Sequence, residues 1–295
     1  MPCYHPVEAY RLANGEVSFI ERGDVLRSFF VKCGQCVGCR LERSRQWAAR
    51  CLHEAKLYES NSFISLTYDK DHLPPYSSLH YPDFQKFMKR LIRRVGPVRF
   101  YMAGEYGEKF NRPHFHACLF GYDFPDKLYF CKSPSGAKLY RSALLERLWP
   151  FGFSSIGEVN FESAAYVARY IMKKITGDRA RAHYSVVDIS TGEMVMRTPE
   201  FNHMSLKNGG IGARWFDRYK DDWYPEGKIV VRGKKTNTPR YYDKRLKKLD
   251  PQAFEDLTLG RELEAMAYAG EQTDARLRVR EIVAEARVKQ LKRSI

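Results

Sequence analysis

The stretch VRFYMAGEYGEKFNRPHFHACLFG, residues 98–121, decides the fold class of this chain. Its apolar arms VRFYMAGE and HFHACLFG each predict a strand, and the polar loop YGEKFNRP between them predicts a turn. We therefore expect a β-hairpin, in which two strands that follow each other in the chain pair antiparallel.

Further elements flank this hairpin on both sides. FISLTY (63–68) and FSSIGEVN (153–160) predict two more strands. Helices are predicted from about Arg40 through QWAARCLHEAKLYE, in YPDFQKFMKRLIRRVGP, in SALLERLW, and in SAAYVARYIMKKI, which Gly177 is expected to end. In the second of these, the predicted apolar face consists of Phe84, Phe87, Met88, Leu91, Ile92 and Val95. A hairpin within this order favours an α+β domain, an antiparallel sheet with flanking helices, over a doubly wound parallel sheet.

The overall charge indicates an acidic partner. The 295 residues carry 50 Lys and Arg against 35 Asp and Glu, a net charge of +15. An excess of this size favours a polyanion, most often nucleic acid, although a basic solvated surface is the alternative. MPCYHPVEAY lacks the apolar core of a signal peptide, and no stretch reaches the length of a membrane span. We expect a protein of a reducing cytoplasm with no membrane partner.

His114 and His116 lie two positions apart in the second arm of the hairpin. Strand side chains alternate between faces, so both imidazoles are expected on one face, close enough to share a divalent ion. An acidic partner is available in the first arm, where Glu105 at the strand end is favoured over Glu108 in the loop. One carboxylate with two histidines suits Mg²⁺ or Mn²⁺; the alternative is two polar residues in an ordinary strand.

AYVARYIMKK holds two tyrosines at helical spacing. Tyr166 and Tyr170 are four residues apart and share a helix face, with Lys173 one turn further along. The apolar stripe of this helix falls elsewhere, which predicts that the tyrosines are not core residues; exposed tyrosines without a function are the alternative. The stripe consists of Ala164, Ala168, Ile171 and Ile175.

Together these residues predict a phosphoryl-transfer reaction. A divalent ion can polarise a phosphodiester, and nearby Lys or Arg can stabilise developing charge. Attack by a tyrosine would then cleave the strand and leave a 5′-phosphotyrosine with a free 3′-hydroxyl.

These motifs resemble those of a known family. PHFHACLF is similar to the His-hydrophobic-His motif of HUH endonucleases, YVARYIMKK resembles the two-tyrosine motif of their rolling-circle initiators, and FISLTY resembles the family's first strand. The combination of CGQCVGCR, GEYGEKFNRPHFHACLFG, YVARYIMKK and PRYYDKR resembles the replication initiators of gokushovirus-type single-stranded DNA bacteriophages. The resemblance spans about residues 1–245.

The resemblance implies particular roles for matching residues. His114 and His116 would be metal ligands, Tyr166 and Tyr170 nucleophiles, and Lys173 the basic residue that closes the motif. Arg169 stands where related initiators often have Lys. The third ligand is not fixed by the motif, so Glu105 rests on the hairpin alone.

CGQCVGC predicts a second, structural metal site. Cys33, Cys36 and Cys39 supply three thiolates, and a tetrahedral site needs a fourth ligand, for which Cys3 is favoured over His5. Structural Zn²⁺ is favoured over an iron–sulfur cluster because the fourth cysteine and proline of a ferredoxin run are missing. Free thiols around a turn are the alternative.

We predict four segments from these patterns. They are a Cys-rich N-terminal module (1–45), an HUH endonuclease core (46–180), a basic and aromatic DNA-contacting extension (181–250) and a C-terminal amphipathic helix (251–295). KKTNTPRYYDKRLKK in the extension combines charge with stacking surfaces suited to single-stranded DNA, against the alternative of a solvated basic face. The predicted DNA-binding residues are Arg169, Lys174, Arg240, Tyr241 and Tyr242.

The expected function is rolling-circle replication initiation at a viral origin in the bacterial cytoplasm. No helicase P-loop is present, so a host helicase and host replication machinery are the expected partners. A relaxase or transposase of the same fold is one alternative, and a non-catalytic zinc-containing nucleic-acid-binding protein is another.

Overall fold

The computed structural model describes residues 3–107, 110–169, 174–175 and 177–290. These residues form two compact units. The smaller combines the described residues up to Ser44 with those from Leu246 onward, and the larger comprises Arg45–Arg245. Residues from the two ends of the chain thus fold together in the smaller unit.

The bounds of the regular elements are as follows. The strands are β1 (Val7–Leu12), β2 (Val17–Ser18), β3 (Val25–Val31), β4 (Asn61–Tyr68), β5 (Arg99–Tyr106), β6 (Pro113–Phe120), β7 (Leu128–Lys132), β8 (Lys138–Arg141), β9 (Gly152–Gly157), β10 (Ser185–Val187), β11 (Met194–Met196), β12 (Phe201–Met204), β13 (Lys228–Val231) and β14 (Lys234–Asn237). The α-helices are α1 (Val37–Ala55), α2 (Tyr81–Val95), α3 (Ala143–Leu148), α4 (Phe161–Arg169), α5 (Asp178–Tyr184), α6 (Ala213–Tyr219), α7 (Arg240–Leu249), α8 (Pro251–Met266) and α9 (Asp274–Gln290).

An antiparallel sheet organises the larger unit. Among the described residues it has seven strands in the order β12-β5-β6-β4-β9-β8-β7. The prediction of an α+β fold with an antiparallel sheet and flanking helices is confirmed, and β5 and β6 form the expected hairpin. The edge strands β12 and β7 and the neighbouring strand β8 were not predicted, because short strands with little apolar alternation give a weak sequence signal.

Helices cover both faces of this sheet. Apolar residues of α2 and α3, such as Phe84, Phe87 and Leu145, pack against Leu66 and Phe115 on one face. On the other face, residues of α1 and α4 pack against the sheet; this second cluster includes Ala48, Cys51, Phe63, Tyr101, Cys118, Phe120, Ala164, Val167 and Ala168. The alternation of strand side chains therefore serves two separate cores.

One residue of the predicted apolar face of α2 does not belong to the core. Ile92 is 39% exposed, whereas Phe84, Phe87 and Leu91 are fully buried. The buried residues follow a stripe with helical spacing, and Ile92 lies at its edge, turned toward solvent.

The predicted helix that begins at Ser163 does not extend through Ile175, although the sequence had indicated that it would. Lys174 and Ile175 are not helical. The backbone N–H of Ile175 donates to the hydroxyl of Tyr184 (3.1 Å), and the Ile175 side chain packs with the α2-side core. Ile175 thus packs on the far side of the sheet from α4.

The predicted single C-terminal helix is also interrupted. The structure has α8 and α9, joined by a 3₁₀ turn at Ala269–Gln272. Thr273 restarts the helical path, since its carbonyl accepts from the N–H of Leu277 (2.9 Å). In the described chain, no helix combines the length and apolar character needed to cross a bilayer.

Candidate active site and cysteine cluster

The pairing registers align a row of residues across four neighbouring strands. Glu105 pairs with His114, His114 with Thr67, and Thr67 with Phe153. Directly paired residues of antiparallel strands project to the same face. Glu105, His114 and the Thr67 hydroxyl therefore share one face, the face on which α4 packs.

The next row begins two residues along each strand. Ala103 pairs with His116, His116 with Ser65, and Ser65 with Ser155. Because the side-chain period of a strand is two, this row lies on the same face as the first. The structure thus brings the two predicted histidines together with Glu105.

His116 is held between two polar side chains. Its Nε2 lies 2.8 Å from Oε1 of Glu105, a carboxylate that is only 3% exposed. The carboxylate accepts this hydrogen bond, and Nδ1 of His116 lies 2.8 Å from the Ser65 hydroxyl, which can donate or accept. Both nitrogens of the ring are therefore oriented by the sheet.

His114 has a parallel arrangement. Its Nδ1 lies 2.9 Å from Oγ1 of Thr67, and the ring centroids of His114 and His116 are 6.2 Å apart. The end of β5 approaches this ring closely, since a Cβ atom at position 107 would lie 2.6 Å from Nε2 of His114. Gly107 therefore leaves room for the imidazole where a side chain would displace it.

Tyr166 lies over the histidines from α4. Its ring centroid is 5.1 Å from that of His116, with the planes nearly perpendicular, and 6.4 Å from that of Phe63. Tyr166 is partly buried and packs against the α4-side core. The expectation that this tyrosine has no packing role is therefore wrong, because α4 lies flat enough on the sheet for its flank to contact Phe63 as well.

The remaining predicted catalytic residues have different positions. Tyr170, Lys173 and the alternative ligand Glu108 lie outside the described residues. Arg169 is in the last turn of α4, and Lys174 is exposed beyond that helix. Their roles stay predictions.

The cysteine cluster is a feature of the smaller unit. Sγ atoms of Cys3, Cys33, Cys36 and Cys39 all lie within 4.8 Å of one another. Three of the separations are 3.5 Å (Cys3 to Cys33), 4.0 Å (Cys33 to Cys39) and 4.0 Å (Cys3 to Cys36). Four sulfurs around a tetrahedral Zn²⁺ at ~2.3 Å would be about 3.8 Å apart. These four cysteines could bind a metal ion such as zinc, with Cys3 in the fourth position.

Backbone amides support thiolates in this cluster. The N–H of Tyr4 donates to Sγ of Cys36 (3.4 Å), and the N–H of Cys33 donates to Sγ of Cys3 (3.2 Å). Burial raises the pKa of the Cys33 thiol, but hydrogen bonds from the amides of Cys36 and Gln35 outweigh it and lower that pKa to about 7. Among the residues that the structure describes, this is the one group of three or more His, Cys, Asp or Glu donors packed so tightly.

Helix α9 packs against the cysteine cluster. Leu277 is 2% exposed and contacts it together with Ala284. His5, the other candidate for the fourth position, is exposed, and its Nε2 instead lies 2.7 Å from the carboxylate of Glu281. The C-terminal helix therefore closes over a site built from N-terminal residues.

The predicted DNA-binding residues of the extension are divided by burial. Arg240 is exposed at the start of α7. The ring of Tyr241 lies 3.8 Å from the guanidinium carbon of Arg50, and Tyr242 is fully buried with its hydroxyl 3.0 Å from Nδ1 of His53. This burial removes Tyr242 from the candidate DNA contacts, because its ring is a core residue.

Three residues of the site were not predicted. Ser65 and Thr67 in FISLTY have the same spacing of two as His114 and His116, and that match between neighbouring strands was the available signal. Gly107 carried no signal of its own, since the approach of its backbone to His114 depends on the loop path.

Comparisons with known proteins identify the class. Residues 61–175 match the family model described as replication-associated protein ORF2/G2P. The chain is 30% identical over 267 residues to replication-associated protein VP4 of Bdellovibrio phage phiMH2K. The aligned region covers 86% of this chain and 80% of the relative. The chain therefore belongs to the family of phage replication-associated proteins.

Two further relatives are of the same gokushovirus type. Replication-associated protein ORF2 of Spiroplasma virus 4 is 31% identical over 275 residues, covering 84% of this chain and 81% of the relative. Replication-associated protein ORF4 of Chlamydia phage 1 is 31% identical over 232 residues, covering 75% of this chain and 55% of the relative. No solved structure matches the chain.

Proposed function

We propose that this protein initiates rolling-circle replication by nicking single-stranded DNA at the viral origin, and later rejoins the ends. The observation that carries the proposal is the position of Tyr166, whose ring lies 5.1 Å from His116 above the face that holds His114 and Glu105. A nucleophile and a candidate metal site on one face are what a tyrosine transesterase requires.

In the proposed reaction the phenol oxygen of Tyr166 attacks the phosphorus of a phosphodiester. The bond from phosphorus to the 3′ oxygen breaks, and the departing 3′ oxygen takes up a proton while the phenol loses one. The products are a 5′-phosphotyrosine and a free 3′-hydroxyl. The covalent link keeps the energy of the broken bond, so the same group can later join ends without another energy source.

The donor set fits a divalent cation. The proposed ion is Mg²⁺ or Mn²⁺, which would be held by Nε2 of His114, Nε2 of His116 and a Glu105 oxygen, the carboxylate being the ligand type that these two ions prefer. When bound, the ion polarises the phosphodiester and stabilises charge that develops on its oxygens. Ser65 and Thr67 fix the two rings from the opposite side.

The hydroxyl partners serve both protonation patterns of the rings. Ligation through Nε2 requires the ring proton on Nδ1. Because a hydroxyl both donates and accepts, Ser65 and Thr67 keep their hydrogen bonds in either tautomer. These two hydroxyls can therefore hold the histidine rings in the same orientation with or without the ion.

Further parts of the proposal rest on the sequence resemblance and on sequence patterns. Tyr170 would act as the second nucleophile, which lets the enzyme cut again before it releases the first end, and Lys173 would lie beside the phosphate. Arg169, Lys174, Arg240 and Tyr241 are proposed DNA contacts. The protein would act in the cytoplasm of the bacterial host with a host helicase and host replication machinery. Zn²⁺ on the four clustered cysteines would have a structural role.

The test is covalent capture of DNA. Purified protein is mixed with end-labelled single-stranded oligonucleotides that tile a candidate origin, with Mn²⁺ or with EDTA, and the products are separated on a denaturing gel. We expect a metal-dependent adduct on the fragment with the 5′ end at the nick, lost in the Tyr166→Phe, Tyr170→Phe double variant. An adduct that survives in that variant would contradict the proposal.

Other outcomes separate the alternatives. Nicking at a transfer origin or at an element end, and not at the viral origin, would indicate a relaxase or transposase. DNA binding that persists in EDTA and in His114→Ala, with no adduct on a tile that contains the origin, would indicate a non-catalytic binding protein.

A further inference from the structure

An exposed phenylalanine completes the first row of the candidate active site. Phe153 on β9 pairs with Thr67, whose hydroxyl binds His114. Adjacent strands are ~4.8 Å apart, so Phe153 lies about 10 Å from His114 on the same face of the sheet. Its side chain is 58% exposed, whereas Ser154 and Ile156 of the same strand, which project to the other face of the sheet, are buried.

The described part of α4 contacts the sheet in rows other than that of Phe153. Tyr166 contacts His116 and Phe63, which belong to the two rows beyond that of Phe153 along β4 and β6. Among the described residues, these contacts of Tyr166 fall in the second and third rows, and Phe153 in the first row is exposed. A single exposed apolar residue is ordinary, but an exposed apolar patch rimmed by polar residues is typical of a ligand-binding groove.

A second exposed aromatic residue continues this surface. Phe130 on β7 is 57% exposed, and the guanidinium carbon of Arg141 on β8 lies 5.4 Å from its ring centroid. Tyr140 pairs with Ile156 of β9 on the α2 side, so the next residue, Arg141, projects to the side of Phe153. The surface runs from His114 across Phe153 toward Phe130.

The charge of the β7–β8 hairpin fits a polyanion. Residues 127–141, KLYFCKSPSGAKLYR, contain Lys127, Lys132, Lys138 and Arg141 and no acidic residue. Lys127 and Arg141 form ion pairs with Asp123 and Glu146, which lie outside this segment. Unpaired bases stack on aromatic rings while neighbouring cations contact the phosphates, which is how proteins bind single strands with little sequence preference. A paired duplex offers no base faces to such a surface.

We propose that Phe153 and Phe130 form a stacking platform for unpaired bases of single-stranded DNA next to the phosphate that Tyr166 attacks. The inference rests on the proposed nicking function, which supplies the substrate class. Phe153 stacks a base close to the reacting phosphate, and Phe130 with Arg141 binds the strand further along the same face.

The experiment measures DNA affinity without chemistry. A fluorescein-labelled single-stranded oligonucleotide of about 16 nucleotides is titrated with the full chain in EDTA, and anisotropy gives the Kd. We expect Phe153→Ala to weaken binding by about tenfold, within the five- to 150-fold that loss of one stacked base produces. Phe153→Trp should keep the wild-type affinity, whereas Phe153→Leu, which keeps apolar bulk without a ring, should weaken binding as Ala does.

Tyr129 provides a matched control. It is adjacent to Phe130 and equally exposed (58%), but it pairs with Tyr140 on the opposite face of the hairpin. Phe130→Ala should weaken binding severalfold, and Tyr129→Ala should leave it unchanged. Equal effects of the two substitutions would contradict a platform on the Phe153 side.

Four results would overturn the proposal. The first is that the wild type does not bind single-stranded DNA, and the second is that Phe153→Ala binds it with unchanged affinity. The third is that Phe153→Ala loses affinity for duplex and for single-stranded DNA equally. The fourth is that Phe153→Ala keeps its DNA affinity but loses self-association, as measured by sedimentation. The last would assign the surface to contacts between copies of the chain. Failure of nicking is scored separately, since a wild type that binds through Phe153 yet forms no adduct with Mn²⁺ refutes the transesterase and not the platform.

Discussion

Oγ1 of Thr67 lies 2.9 Å from Nδ1 of His114, and one row away Oγ of Ser65 lies 2.8 Å from Nδ1 of His116. Each hydroxyl is directly paired across β4 and β6 with the histidine that it contacts. Two consecutive in-register pairs thus orient both imidazoles with their Nε2 atoms away from β4. Such outer partners hold a ligand ring in place.

Removal of these hydroxyls should weaken metal binding. We expect Thr67→Val, which keeps the side-chain shape, and Ser65→Ala each to lower Mn²⁺ affinity by about 10- to 100-fold. Titration of Mn²⁺ followed by electron paramagnetic resonance measures this independently of activity. Thr67→Ser keeps a hydroxyl and should restore most of the affinity; a Val variant with wild-type affinity would refute the orienting role.

Gly107 should not tolerate a side chain. A Cβ there would lie 2.6 Å from Nε2 of His114, so Gly107→Ala must move the imidazole or the loop. We expect at least about a tenfold loss of adduct formation, in line with the cost of misplacing a reacting group by ~1 Å. Single-turnover rates with end-labelled DNA provide the measurement.

Gly260→Ala is the control for that substitution. Gly260 lies in α8 with open space around a Cβ, so the alanine should leave the rate unchanged and favour the helix. If both alanine variants retain wild-type rates, close approach at position 107 has no part in the site.

The cysteine cluster should hold one zinc ion per chain. Cys36→Ser removes one of four thiolates, and we expect the purified variant to lose its zinc, as measured by metal analysis. Cys131→Ser is the matched control, since Cys131 is a partly buried cysteine on β7 in the larger unit. The smaller unit should become protease-sensitive without zinc, because a structural zinc site contributes its binding free energy to folding. Zinc retained in Cys36→Ser would exclude the four-thiolate site.

His53 should make the larger unit less stable at acid pH. Its ring is stacked 3.5 Å from that of Trp215 and hydrogen-bonded to Tyr242, and burial lowers its pKa to about 3. The pKa of a histidine in the unfolded chain is ~6.5. Between this pH and pH ~3, His53 binds a proton in the unfolded state but not in the folded state. Above pH ~6.5, His53 therefore does not reduce the free energy of unfolding. As the pH falls below this value the free energy of unfolding decreases, by about 2 kcal/mol at pH ~5.

Urea unfolding at pH ~7 and ~5 tests this effect. His53→Phe keeps a flat ring against Trp215 but cannot be protonated, so its unfolding free energy should change less between the two pH values. Equal pH dependence in the variant and the wild type would show that other groups cause the acid destabilisation.

Much of the candidate site followed from local patterns in the sequence. A polar loop between two apolar arms predicted the β5–β6 hairpin, and the period of two placed His114 and His116 on one face with Glu105 within reach. The clustered cysteines predicted a thiolate site with Cys3 as the fourth member. Apart from Cys3, which lies 30 residues from Cys33, these features depend on neighbours in the chain or across one turn, where backbone geometry leaves few choices.

Long-range pairing decided the rest. Register between β4 and β6 gave the histidines their hydroxyl partners, and register between β4 and β9 put Phe153 in their row. Tyr242 is buried, although its basic surroundings in the sequence had indicated a role at the surface. Ile175 packs with the other core and is not helical, although the periodicity of the sequence had predicted a helix through it. Sequence determined which side chains each strand and helix presents, because that follows from backbone period; only the tertiary structure decided which of them meet, because packing chooses among many registers of similar local energy.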